Sequence, residues 1–317
     1  MDRGVKIDLS TSIKKALTIK EKPIKPKHIR GTILGTYHTQ SFWAIVIRCP
    51  LKENRIIAWK FMYLLHKVLR EGNQHVSLQA MSHRHMIQEL GKLWGHLNDG
   101  YEVLIKQYSK LLCTKIEFHA KHPAIESHIS IEYITFQVDE NKSSDFFFGI
   151  VTDMFDYLNE IIALSALVYE TMTKFNVNPM SSAGQCRIEP LTIQIEESYL
   201  LYNHSLHFMH VLHSKVSYEL LAGHRSRFNV IFNELKSIYN KARGFEYLEN
   251  LITIPMLFGE PPTFVNKDYA NIEHVEMTPR QSSVMTFEYM LKLARLEEEE
   301  ERSRSRPIPS APVLYED

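Results

Sequence analysis

Apolar residues recur at helical spacing along most of this chain. Over residues 7–17, Ile7, Leu9, Ile13, Ala16 and Leu17 share one face, which predicts a short amphipathic helix with Lys14 and Lys15 near its end. Pro23 and Pro26 bar a continuous helix through the next segment, and Pro26 suits the first turn of a second one. Residues 41–47 (Ser-Phe-Trp-Ala-Ile-Val-Ile) read as a short buried helix, although their β-branched content leaves a strand open. Asn54 is a plausible N-cap, Ile57, Phe61, Leu64, Leu65 and Val68 form the stripe that follows, and Glu71-Gly72-Asn73 stops it. From Ser77 to His122 the pattern is helical with interruptions. Trp94, Leu97, Tyr101, Leu104, Tyr108, Leu111 and Leu112 carry its face, while Gly91, Gly95 and Gly100 weaken and divide it.

Residues 123–145 lose the helical stripe. Ile129–Phe136 alternates imperfectly, and a lone strand would have nothing to pair with, so a long loop is expected. Helical order resumes near Asp145, with Phe155, Leu158, Ile162, Ala166 and Tyr169 inward, and ends at Asn176-Val177-Asn178-Pro179. A further helix is expected from about Ser182 to Val216, with Pro190 as a kink or a late start. Another spans Arg225–Arg243 with Phe228, Phe232, Leu235 and Tyr239 buried, closed by Gly244, and a short one follows at 245–252. The segment from Ile254-Pro255 to Pro261-Pro262-Thr263-Phe264 reads as extended, and residues 265–285 show no clear period. A charged helix at 286–302 ends in the five glutamates 297–301, and an Arg/Ser/Pro-rich stretch beyond it has the composition of disorder.

The expected architecture is all-α: antiparallel helices stacked into one domain over residues 1–265, followed by a tail over 266–317. With only 12 Gly and 13 Pro in 317 residues, composition agrees with long helices rather than many short strands. No apolar run approaches the roughly 18–20 residues that cross a bilayer, and the amino terminus has no signal-like apolar core. Cys49, Cys113 and Cys186 are widely spaced and fit reduced thiols in the cytosol.

Charge changes the picture. The chain balances 37 basic against 37 acidic residues, yet residues 1–30 hold nine Lys or Arg against three Asp or Glu. A local basic excess of this kind attracts phosphate. Its spacing is Lys15, nine residues, then Lys25-x-Lys27-His28. The first two helices would place Lys14 and Lys15 at one end and Lys25, Lys27 and His28 at the start of the next, where free N–H groups and the helix dipole favour anions. Lysines are mobile point charges suited to a multiply charged ring at a surface.

That spacing resembles the phosphoinositide-binding motif of the ANTH domain family of endocytic adaptors. Further stretches resemble its huntingtin-interacting-protein-1-related group, which includes the yeast homologue. They are Lys27–Thr36, Trp59-Lys60-Phe61 with Leu65–Gly72, Leu93–Tyr101, Phe155–Leu158, Ala183–Arg187, Gly223–Phe228, and Ile254-Pro255 with Pro261–Phe264, together covering residues 6 to 265 in order. The resemblance implies an ENTH/VHS-like superhelical α-solenoid that binds phosphatidylinositol 4,5-bisphosphate at the plasma membrane in clathrin-mediated endocytosis. Carried over by position, the headgroup contacts would be Lys15, Lys25, Lys27 and His28, with Lys14 and Lys22 peripheral. Arg30 would contact the ENTH domain of epsins, with which family members co-assemble. Family members continue into a coiled coil and a talin-like actin-binding domain. Neither pattern is present, so clathrin and actin contacts would lie in regions absent from this chain, which is expected to be a fragment or a naturally short product.

Other chemistries are weakly signalled. His204, His207, His210 and His213 step by three, which rotates successive side chains backward by about 60° and sets the first and last on opposite sides. With no HExxH or Cys pair, partly exposed helix histidines and no metal are expected, and the same holds for His83-Arg84-His85 and His119-Ala120-Lys121-His122. No GxGxxG, GxxxxGK[ST] or GxSxG occurs; Cys113 and Cys186 read as buried thiols, and neither an enzyme nor a cofactor is expected. A nucleic-acid partner is disfavoured, because the basic excess is local and Trp43, Trp59 and Trp94 sit in apolar stripes. The alternative is a solenoid that binds coat or cargo proteins without lipid recognition. The acidic run 297–301 reads as a solvated helix end or as a segment that folds back on the basic cluster.

Overall fold

A computed structural model describes residues 8–123, 125, 142–257, 259–264 and 287–304; in the last stretch, side chains are described at 289–297 and 299. Among the described residues there is no strand. The helices are α1 (Leu9–Ala16), α2 (Pro26–His38), α3 (Phe42–Ile47), α4 (Arg55–Glu71), α5 (Gln74–Lys92) and α6 (Tyr101–Lys121). They continue with α7 (Ser144–Lys174), α8 (Ser182–Ile188), α9 (Leu191–Lys215), a 3-10 turn at Glu219–Leu221, α10 (Ala222–Ala242), α11 (Glu246–Glu249) and α12 (Phe287–Arg304). The loop expected at 123–145 falls mostly outside the described residues, as does the stretch 265–285.

Local chemistry sets many of the boundaries. The Asn54 side chain accepts from Ile56 N–H at 2.8 Å and opens α4. Ser143 and Ser181 do the same for α7 and α8, at 3.3 Å to Phe146 N and 3.0 Å to Gly184 N. Gly100 separates α5 from α6 with φ +90, where a Cβ would stand 2.8 Å from Arg187 Nη1, so both its left-handed backbone and its lack of a side chain are required. Pro190 proves to be a late start rather than a kink: α8 ends at Ile188 and α9 begins at Leu191. Its missing N–H is harmless there, because the first amides of a helix have no intrahelical partner.

Successive helices pack side by side into an α-solenoid, α5 on α6, α6 on α7, and α7 on α9 and α10, with α1 laid on α2 and α2 on α4. The expected stripe on α4 understates its burial: every residue from Ile56 to Glu71 is buried. Polar groups on that helix therefore need partners. His66 Nε2 meets Glu197 at 2.6 Å, and the same carboxylate accepts from Lys115 Nζ, which also donates to Tyr157 at 3.1 Å. Arg70 pairs with Glu196 at 2.9 Å. Breaking one member of such a buried set costs about 3–5 kcal/mol, since the rest is left as uncompensated charge. This network ties α4, α6 and α9 in one arrangement.

The tryptophans are core, as expected: Trp59 donates to the Cys186 carbonyl at 2.8 Å and Trp43 to that of Val76 at 3.1 Å. Cys113 and Cys186 are buried, and burial pushes their thiols up to about 11 and about 12. In the histidine row, His204 is buried rather than partly exposed, because α9 runs through the interior. His213 stacks on Phe264 and donates to the Met209 carbonyl at 2.7 Å. No group of His, Cys, Asp or Glu among the described residues could hold a metal ion, and no described helix is long and apolar enough to cross a membrane.

Candidate functional site

The basic segment wraps the start of the solenoid as α1, a nine-residue connection (17–25) and α2. Helix α1 forms because Asp8 caps it, accepting from Thr11 N at 3.2 Å, and because Leu9, Ile13 and Ala16 are buried on one side. Lys14 and Lys15 fall in its last turn, where the dipole favours cations, and both are exposed. Helix α2 starts at Pro26, and the His28 amide donates back to the Lys25 carbonyl at 2.8 Å. Lys25 is exposed, and Lys27 and His28 are half-buried.

The connection between the two helices is held by side chains from far along the chain. Lys60, on α4, donates to the Thr18 carbonyl at 3.2 Å, the Thr18 hydroxyl at 3.1 Å and the Lys20 carbonyl at 2.6 Å. An ammonium has three donors, and all are used. Burial lowers the Lys60 pKa from its ordinary value, with Cys186 and Glu189 opposing and nearby Lys22 adding to the shift. Glu21 accepts from Tyr101 OH at 2.9 Å and lies 3.8 Å from Arg187 Nε. The Ile24 amide donates to Glu189 at 3.1 Å, and the Ile24 side chain is buried. Burial raises the Glu189 carboxyl to about 8.

The connection therefore turns its carbonyls and its one acid inward and its lysines outward. Lys20 and Lys22 are exposed with Lys14, Lys15 and Lys25, and among the described residues none of these five is held in an ion pair. The His28 imidazole is held below its ordinary pKa by burial first and then by Lys27, Lys15 and Lys25, while Glu297 acts the other way. Lys15, Lys25 and Lys27 thus all act on His28.

Arg30 lies apart from this exposed set. It is buried, and its Nη2 pairs with Glu297 of α12, which packs on α2. Met290 is buried in the same contact and Ala294 packs against the core. In the acidic run, Glu297 meets Arg30 of α2 while Glu299 is exposed. Sequence reasoning named Tyr101 in a helical stripe and Lys60, Tyr101 and Arg187 in the family-like stretches, but gave none of Lys60, Glu21, Tyr101, Arg187 and Glu189 a role at this site. The available signals were a lysine inside an otherwise apolar helical stretch and an acid within a basic one.

The profile of the ANTH domain family matches residues 8–272. This chain belongs to the ANTH domain family. It is 36% identical over 271 residues to human huntingtin-interacting protein 1, covering 84% of this chain and 26% of that protein. It is 28% identical over 268 residues to the endocytosis protein end4 of Schizosaccharomyces pombe, covering 82% of this chain and 24% of that protein. The chain thus spans about a quarter of the length of these ANTH relatives. Among solved structures, the ENTH domain from epsin-2 in complex with phosphatidylinositol 4,5-bisphosphate superposes with a TM-score of 0.71 at 28% identity, covering 78% of this chain and 96% of that one. The ANTH fold expected from sequence, an all-α solenoid, is the fold found.

Proposed function

We propose that this chain is a peripheral membrane adaptor module that binds phosphatidylinositol 4,5-bisphosphate on the cytoplasmic face of the plasma membrane. Lys15, Lys25, Lys27 and His28 contact the headgroup, and Lys14 and Lys22 add peripheral charge. The setting is clathrin-mediated endocytosis and its coupling to actin, with clathrin and actin engaged by regions outside this chain. The observation that carries the reading is the inward pinning of residues 17–25 by Lys60, Glu189, Tyr101 and Arg187, with the lysines of this stretch left exposed to solvent. The similarity to an epsin-2 ENTH domain in complex with this lipid supports the same reading.

Near an anionic surface each basic residue contributes about 1 kcal/mol, so four to six of them give roughly 4–6 kcal/mol. One copy binds weakly, and residence at a membrane comes from several copies acting together. Arg30 contacts a partner such as the ENTH domain of epsins only when α12 leaves, since Glu297 holds its guanidinium.

The test is sedimentation with vesicles of matched charge, with and without phosphatidylinositol 4,5-bisphosphate, at physiological salt. Preferential pelleting with that lipid is expected. Equal recovery on both vesicles would reduce the site to a basic patch, and no recovery would favour the solenoid that binds coat or cargo proteins.

A further inference from the structure

Among the described residues of the basic segment, Ile19 is the most exposed apolar side chain, with 66% of its surface open to solvent. Its position is imposed by its neighbours. The carbonyls of Thr18 and Lys20, on either side of it, both accept from the Lys60 ammonium, at 3.2 and 2.6 Å. These two carbonyls flank Ile19 and are turned inward onto the same cation, which holds the backbone on both sides of it while its side chain stands exposed. On the flanks, Leu17 and Ile24 are buried, so the connection had apolar positions available inside and still presents an isoleucine outside. The residues around it in sequence that are exposed with it are Lys14, Lys15, Lys20, Lys22 and Lys25.

We propose that Ile19 is a membrane-inserting residue, entering the boundary between headgroups and acyl chains of an anionic bilayer while the surrounding lysines hold phosphate. This rests on the lipid reading above and adds an apolar contact that a soluble headgroup cannot make. The charge complementarity of the surrounding lysines chooses the bilayer as occupant. A protein groove would have to accept a single isoleucine from a stretch of exposed lysines, whereas an anionic lipid surface offers both environments at adjacent depths. Because Lys60 fixes the backbone before binding, insertion requires no ordering of the connection.

The experiment uses the full chain and compares wild type with Ile19→Ser in two assays, with a third on Ile19→Trp. Partition is measured on vesicles containing phosphatidylinositol 4,5-bisphosphate, and the affinity for water-soluble inositol 1,4,5-trisphosphate is measured by calorimetry. Ile19→Ser is expected to weaken vesicle partition about tenfold, equivalent to about 1.4 kcal/mol, with trisphosphate affinity unchanged. The added tryptophan of Ile19→Trp is expected to be quenched by lipids brominated near the glycerol end of the acyl chain. The native Trp43, Trp59 and Trp94 are buried and supply the unquenched background. Normal trisphosphate binding with unchanged vesicle partition of Ile19→Ser, or an unquenched tryptophan at 19, would overturn insertion and leave the headgroup site standing. Wild-type binding to neither trisphosphate nor vesicles would overturn the lipid reading itself, and insertion with it.

Discussion

Two segments approach helix α2, and they are held in opposite ways. The connection 17–25 precedes it and is fastened by Lys60, Tyr101, Arg187 and Glu189, side chains supplied by α4, α6, α8 and the turn before α9. Helix α12 packs on it and is fastened by buried Met290, by Ala294 and by the Glu297–Arg30 pair, while Lys292, Arg295, Leu296 and Glu299 are exposed. The first is part of the folded core and its ordering cost is met during folding. The second is a thin contact of the kind that opens locally at low free energy. One presents exposed lysines from a segment held by the core, and the other sets Glu297 against Arg30 of the same helix. The difference shows that one helix can carry both a segment held by the folded core and a charged contact from far along the chain.

The comparison breaks most severely if the permanent charge is reversed. Lys25→Glu combined with Lys27→Glu removes two attractions and adds two repulsions, each of about 1 kcal/mol near an anionic surface. Vesicle binding is expected to fall at least about a hundredfold, the equivalent of about 2.7 kcal/mol. The thermal melt should stay within a few degrees, because Lys25 is exposed and Lys27 only half-buried. Undiminished binding would end the proposed function.

Lys60→Met tests whether the connection is fastened as described. It leaves the Thr18 and Lys20 carbonyls without their shared donor, a loss of about 1–3 kcal/mol. A melting temperature lower by several degrees is expected together with about tenfold weaker inositol 1,4,5-trisphosphate binding. Loss of stability without loss of affinity would show that the connection does not need to be held to bind.

Deleting residues 286–317 sharpens the other side of the comparison. Removing Glu297 from beside α2, together with the rest of the acidic run, should strengthen vesicle binding about threefold to fivefold at low salt, and the gain should vanish at high salt, where the Debye length falls to about 3 Å. Glu297→Gln should reproduce part of it. No change at low salt would make the tail an inert neighbour.

The smallest effect concerns protons. Burial and the three neighbouring lysines depress the His28 pKa in the free protein. A bound phosphate adds negative charge against the imidazole and raises that pKa, so binding takes up a proton and tightens as pH falls. Because phosphates themselves titrate, the quantity to follow is the affinity of wild type relative to His28→Gln. That ratio is expected to rise about twofold to threefold from pH 8 to pH 6, measured by calorimetry, and a flat ratio would remove His28 from the site.

Much of this molecule was legible before folding. Asn54, Pro26 and Gly100 mark helix boundaries because capping, ring closure and positive φ are local requirements that a sequence states directly. The apolar stripes pointed to the all-α solenoid, and the spacing from Lys15 to His28 marked the end of one short helix and the start of the next, which lie close together in sequence. Tertiary structure decided what spacing does not encode. It buried α4 on all sides and His204 with α9, because a helix enclosed by neighbours needs partners for its polar groups rather than a polar face. It brought Lys60 to Thr18 and Lys20, and Glu189 to Ile24, across separations of 42, 40 and 165 residues. It also withdrew Arg30 from the exposed set by setting Glu297 upon it. The sequence by itself determined which charges are present and where helices begin. Only the packing of distant helices decided which of those charges face solvent, because exposure belongs to the whole assembly and not to any one stretch.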